Sequence, residues 1–192
     1  MNETAHPAVA HELCGAPMPI EIARRPPADG GVPATRGFYA WWLSDRRALP
    51  SVPLPTQPPP WLLYVGIAPS RPTSGATVRS RVLRQHVGGN LAASTFRRSL
   101  AALLWREHGW SPYVTTRGKL RFDREDDQAL RAWQLANLRL TWAAADEPWL
   151  FERQVIAALQ PPLNVDLNER HPFCAAMKQA RAAFRAAARP LA

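Results

Sequence analysis

Lysine is almost missing from this sequence. Lys119 and Lys178 are the only two among 24 cationic residues, so the formal net charge of +9 is an arginine charge. Planar guanidinium forks match phosphate oxygens well, and a positive excess of this size favours a polyanionic partner. A genome rich in arginine, alanine and proline codons produces the same composition without such a partner, so charge alone does not identify one. Cysteine is just as scarce. Cys14 and Cys174 lie far apart and make no disulfide framework, which reads as a reduced, cytoplasmic protein. There is no run of about 18 apolar residues for a membrane-spanning helix, and no basic-then-apolar leader follows Met1. His6, His11 and Cys14 match no zinc-site spacing. Apolar material, in contrast, is plentiful. The 192 residues are 46% hydrophobic and include eight tryptophans, enough for one domain with a real core.

Residues 1–35, with six prolines and no sustained periodicity, read as disordered or as an irregular strap over that core. Two short apolar runs follow, "RGFYAWWL" at 36–43 and "WLLYVGI" at 61–67, and both read as strands. The proline-rich stretch between them is too stiff and too poor in donors for helix or sheet, so it is a surface loop. Helical spacing predicts helices over 77–87, with Ser74 or Thr77 as cap, and over 95–107, capped by Ser94. A short strand over 119–122 and an acid-led helix over 125–137 come next. Alternating Leu138, Leu140 and Trp142 mark a third main strand, 147–159 reads as one helix, and 174–188 closes the chain as another. The sum is an α+β fold, a small, mainly antiparallel sheet of about three strands flanked by helices.

Three features point towards chemistry. In the first strand Tyr39, Trp41 and Leu43 share a face, and in the second Leu62, Tyr64 and Gly66 do. Aligned pairing would set two phenols beside a glycine that lets a ligand or another backbone come close. Two ordinary cross-strand aromatics fit the same pattern. In the helix over 147–159, Glu152 interrupts an apolar stripe of Trp149, Val155, Ile156 and Leu159. A carboxylate on an inward face needs a metal or an arginine partner. Arg81, third, lies at the edge of the apolar side formed by Val78, Val82, Leu83 and Val87.

Taken together these residues resemble the GIY-YIG nuclease family. "GFY" at 37–39 and "YVG" at 64–66 stand for its two name motifs, each with one apolar exchange at the middle position. The resemblance extends over residues 36–168. It implies metal-dependent hydrolysis of phosphodiester bonds in DNA, with Tyr39, Tyr64, Arg81, Glu152 and Asn164 as the catalytic set. Glu152 would hold a single Mg2+ (or Mn2+), Arg81 would bind the phosphate, and Tyr39 would act as general base or orient the water. Tyr64 would share that task, and Asn164 would position Glu152 or the cleft wall. Substrate contacts are expected at Gly66, Gln85 and His86, and along the basic stripe of the closing helix at Arg181 and Arg185. The implied layout is an N-terminal segment over 1–35, a nuclease-like domain over 36–173 and a packed basic helix over 174–192.

The sequence departs from the family pattern in two places. The tyrosines stand 25 residues apart, a longer connection than the family's short hairpin. Many members carry histidine or tyrosine four residues after the arginine, where this chain has Gln85, with His86 next to it. One residue turns an α-helix by about 100°, so His86 cannot take that place without a local change. Gln85 therefore also fits a second reading, a binding module on the same scaffold that has lost catalysis. A third reading, a plain structural domain, would have Glu152 salt-bridged. No separate DNA-reading segment is evident, which puts specificity in the core's own loops, in a homodimer, or in a partner. "STFRRSL" and "NERHPF" stand out without an evident role.

Overall fold

The computed structural model describes residues 5–190. Its main sheet has four strands in the order β1 (Met18–Pro19), β6 (Leu138–Ala144), β2 (Gly37–Leu43) and β3 (Trp61–Ala68), all antiparallel. The fourth strand, one more than expected, is a two-residue piece whose short length hid it in the sequence. The central strand β2 is buried at every position, because it is paired on both edges and covered on both faces. A second, minor sheet joins β4 (Tyr113–Val114) to β5 (Leu120–Arg121) and to β7 (Arg189–Pro190).

Strand alternation divides the core in two. Tyr39, Trp41 and Leu43 face one apolar cluster, built with α3 (Thr95–His108), α4 (Arg124–Asn137) and α6 (Cys174–Ala186). Phe38, Ala40 and Trp42 face the other, covered by α1 (Ala5–Leu13) and α5 (Glu152–Leu159). The segment read as disordered or irregular is thus ordered from Ala5 onward and closes one face of the sheet. Leu13 is fully buried, and its carbonyl accepts from Thr141 Oγ1 at 2.7 Å. The α2 turn (Ile20–Ala23) adds Ile20 and Ala23 to the opposite cluster. Arg79 ties this part down by donating to the carbonyls of Arg24, Arg25 and Val32. Proline content hid these elements, which draw their stability from burial against the sheet rather than from local propensity.

Two local expectations are corrected. A β-bulge between Trp41 and Trp42 leaves Leu63 without a partner in the ladder. Leu63 therefore joins Tyr64's cluster while Leu62 packs on the other side, the reverse of strict alternation. The single helix expected over 147–159 is also broken. A 3-10 turn at Pro148–Leu150 is followed by Phe151 with φ −135°, and α5 starts afresh at Glu152. Trp149 is consequently not on Glu152's helical stripe, and Glu152 is a helix-opening residue, where the macrodipole favours negative charge.

Candidate active site

Register settles the question of the two tyrosines. Tyr39 pairs with Gly66 and Trp41 pairs with Tyr64, so the phenols are diagonal neighbours on one face. A Cβ on Gly66 would press into the Tyr39 ring and hydroxyl, so the glycine makes the space that the phenol fills. Burial pushes the Tyr39 phenol well above its ordinary value, with the neighbouring Tyr64 adding to this. Tyr64 is pushed up to about 12, first by burial and then by the charge of Glu152. Arg81 opposes both shifts, which places the cation, the carboxylate and both phenols within each other's electrostatic reach.

Glu152 has no ion-pair partner. Among the described residues the one salt bridge joins Arg97 to Asp127, so the structural reading of Glu152 is not met. Burial raises its carboxyl and Arg81 offsets part of the rise. Arg81 itself donates from one terminal nitrogen to Gln85 Oε1, while its Nε is buried with no partner. This leaves a carboxylate without a salt-bridge partner within electrostatic reach of a guanidinium that has an unpartnered donor.

The helix that carries Arg81 is not an α-helix. Thr77 rather than Ser74 opens it, through reciprocal bonds between Thr77 and Ser80. The Arg81 N–H bonds four residues back to Thr77, but the Gly88 N–H bonds five residues back to Leu83. From Ser80 to Val87 the backbone is a π-helix. That wider winding brings the residue five along, as well as the one four along, round towards the first, so His86 comes to the side of Arg81. His86 is only 4% exposed, and its Nε2 lies 2.7 Å from the Tyr39 hydroxyl. The local change that an α-helix denies is therefore present, and Gln85 supports Arg81 instead of facing the phenols.

Around His86 the packing is aromatic. Trp41, Tyr64 and Phe96 set their rings against it within 6.1 Å, centroid to centroid. Burial, with Arg81 and Arg97 nearby, pushes its pKa down to about 3, so the ring is neutral at ordinary pH. Its Nδ1 lies 2.7 Å from Ser94 Oγ. Arg97, fully buried, donates to the carbonyls of His86 and Val87 and pairs with Asp127 at 2.9 Å. Gln134 joins it and also donates to the His86 carbonyl. The segment "STFRRSL", which had no evident role, thus supplies the ring's second partner and caps the π-helix. Sequence reading missed this because the pairing joins two helices across a turn, and only Ser94's capping pattern was visible.

The remaining sequence-derived residues fall at different distances from chemistry. Asn164 is buried and bonds the backbone of Val65 twice, at 2.8 and 2.9 Å, fastening its loop to the outer edge of β3. Of the two roles expected for it, bracing the cleft wall is the one these bonds serve, since its amide does not reach Glu152. Arg181 is half-buried and donates to Ser99 Oγ on α3, in electrostatic contact with Asp166 and Tyr64. Arg185 is exposed and reaches the Gly118 carbonyl. "NERHPF" is also absorbed in part, as Asn168 is buried and donates to the Pro161 carbonyl.

A lone half-buried carboxylate suits Mg2+, which keeps most of its waters and takes one or two protein carboxylates plus substrate oxygens. Among the described residues there is no group of three or more metal-ligating side chains, so these residues offer no closed cage for zinc. No helix among them is long and apolar enough to cross a membrane.

The model of the GIY-YIG catalytic domain family matches residues 37–183, well over half of the chain. This protein belongs to that family, whose catalytic domains are nucleases. No curated protein and no solved structure matches it.

Proposed function

We propose that the protein is a divalent-metal-dependent endonuclease that hydrolyses phosphodiester bonds in DNA. The observation that carries this reading is Glu152, a half-buried carboxylate with no salt bridge among the described residues, within electrostatic reach of Arg81, whose Nε has no partner, and of the buried Tyr39 and partly buried Tyr64. A structural domain would have paired that carboxylate with one of its many arginines, because an unpaired buried charge is costly.

In this reading Glu152 holds Mg2+ or Mn2+, and the ion, when bound, polarises a phosphate oxygen and stabilises the leaving group. Arg81, permanently charged and held by Gln85, binds the same phosphate and stabilises the charge that grows on it in the transition state. Tyr39 orients the attacking water and, as the phenolate left after its own proton has gone to solvent, takes up the water's proton; burial opposes that ionisation and the positive charge of Arg81 favours it. His86 holds that oxygen in place through Nε2. Tyr64 contacts the same water from the diagonal position, Gly66 gives the phenol its room, and Asn164 keeps β3 from shifting. Arg181 and Arg185 extend the cationic surface along DNA phosphates.

The rival binding-module reading drew its support from Gln85 at the usual histidine position, and the π-helix removes that support. The test is nicking of supercoiled plasmid by wild type and Glu152→Ala with Mg2+, Mn2+ or EDTA. The expected result is metal-dependent nicking that is lost in the variant while its circular dichroism is unchanged. Undiminished cutting by Glu152→Ala would overturn the assignment, and DNA binding without nicking under either metal would favour the binding module.

A further inference from the structure

The histidine beside Tyr39 has two hydroxyl partners and a single lone pair to offer them. A neutral imidazole carries one N–H and one bare nitrogen, so of Tyr39 and Ser94 one donates to the ring and the other accepts from it. The hydroxyl hydrogen of the loser must find another acceptor. Ser94 is 1% exposed at the N-cap of α3, and its oxygen already accepts from the Arg97 N–H at 3.0 Å. Among the described residues no carbonyl or carboxylate stands ready to take the Ser94 hydrogen other than His86 Nδ1. Tyr39, although only 2% exposed, differs because the Tyr64 hydroxyl, the Glu152 carboxylate and Arg81 lie within electrostatic reach of its phenol, so its hydrogen has other acceptors on that side to turn towards. The loss is therefore smaller if Tyr39 is the partner that does not donate to the ring.

We propose that Ser94 is a positioning residue that donates to His86 Nδ1 and so fixes the ring as an Nε2–H donor to the Tyr39 oxygen. This rests on the nuclease reading for its consequence, though not for its geometry. The chain of donors runs one way, from the Arg97 N–H to Ser94 Oγ, from Ser94 O–H to Nδ1, and from Nε2–H to Tyr39. The Tyr39 hydrogen then points into the cleft. When Tyr39 ionises, its proton leaves on the cleft side to water, not to His86, and the phenolate left behind is held by the imidazole N–H. His86 stabilises charge on Tyr39 and carries no proton between groups.

The direct test is the tautomer of His86, read from side-chain 15N shifts and their couplings to the ring protons in the 15N-labelled protein, without metal or DNA. The expected result is protonation at Nε2 in wild type. Protonation at Nδ1 would overturn the proposal whatever the protein does to DNA. Ser94→Asp keeps a good helix cap but can only accept, so it should move the ring proton to Nδ1 and lower the nicking rate on the order of 100-fold. Ser94→Thr, which retains the hydroxyl, should restore both the Nε2–H signature and cutting. An unchanged tautomer in Ser94→Asp would count against the serine as the group that sets it. Should that variant fail to fold, the wild-type spectrum and Ser94→Thr still decide. A wild type that shows Nε2–H but never nicks plasmid would leave this assignment standing and remove the nuclease reading, so the two fail separately.

Discussion

At the scale of single residues the site depends on what is left unmade. Among the described residues Glu152 has no cation beside it at ion-pair distance and Arg81 Nε has no acceptor, and Gly66 has no Cβ. In the proposed reaction each has a use: the carboxylate would hold the ion, the guanidinium would meet the phosphate, and the glycine gives the phenol room. Gly66 gives the clearest test, because its neighbour is the rigid, buried ring of Tyr39 rather than a flexible side-chain end. Gly66→Ala should push the phenol out of line, break the Tyr39–His86 bond and cost about 1–3 kcal/mol through overpacking. Urea melts would read the stability loss and plasmid assays the loss of cutting. A variant as stable and as active as wild type would show that the phenol needs no such close fit.

At the scale of elements the π-helix is decisive. An α-helix over 80–87 would turn His86 about 140° away from Arg81, and the residue beside Arg81 would be Gln85. The extra residue in the winding shifts that choice by one position. Capping makes the unusual form tolerable, since Arg97 and Gln134 satisfy carbonyls at its end that a free helix would leave to water. Deleting Gln85 should therefore relax the segment to an α-helix and place the histidine four residues after Arg81. We expect this deletion to keep the histidine against Tyr39 and to retain metal-dependent nicking within about tenfold, whereas deleting His86 should abolish it. Loss of nicking in both deletions, with folding intact, would mean that the wider turn itself is needed. The minor sheet and the broken helix before α5 tell a related story. Pro148 and the non-helical Phe151 reset the helix so that Glu152 opens it, and no periodicity count over 147–159 could register that break.

At the scale of the whole molecule charge and burial work in opposite directions. A positive excess of this size favours polyanions near the surface, while the aromatic box keeps one titratable ring out of water. His86 sits at about 3 in the folded state against an ordinary 6.5, so between those values the unfolded chain binds a proton that the folded chain does not. Stability from this group is therefore present at neutral pH and is lost as pH falls from about 6.5 towards 3. His171, also lowered by burial, acts in the same direction, and Glu152, raised by burial, acts in the opposite sense above its ordinary range. Urea midpoints at pH 7 and pH 5 should fall further for wild type than for His86→Gln. Equal falls would mean that the ring is not the buried neutral group described here.

Sequence alone determined the α+β class, the three main strands, the Ser94 cap and the family, because strand alternation, capping chemistry and short motifs are local and survive in one dimension. It also picked out Tyr39, Tyr64, Arg81 and Glu152, through residue type and order. Only the tertiary structure decided that residues 5–35 build half the core cover, that Leu63 is a bulge, and that His86 instead of Gln85 meets Tyr39. Those outcomes are competitions between a local preference and burial against a distant partner. A proline-rich strap, a widened helix turn and a serine–histidine bond across two helices each pay locally and gain only when the chain has closed on itself.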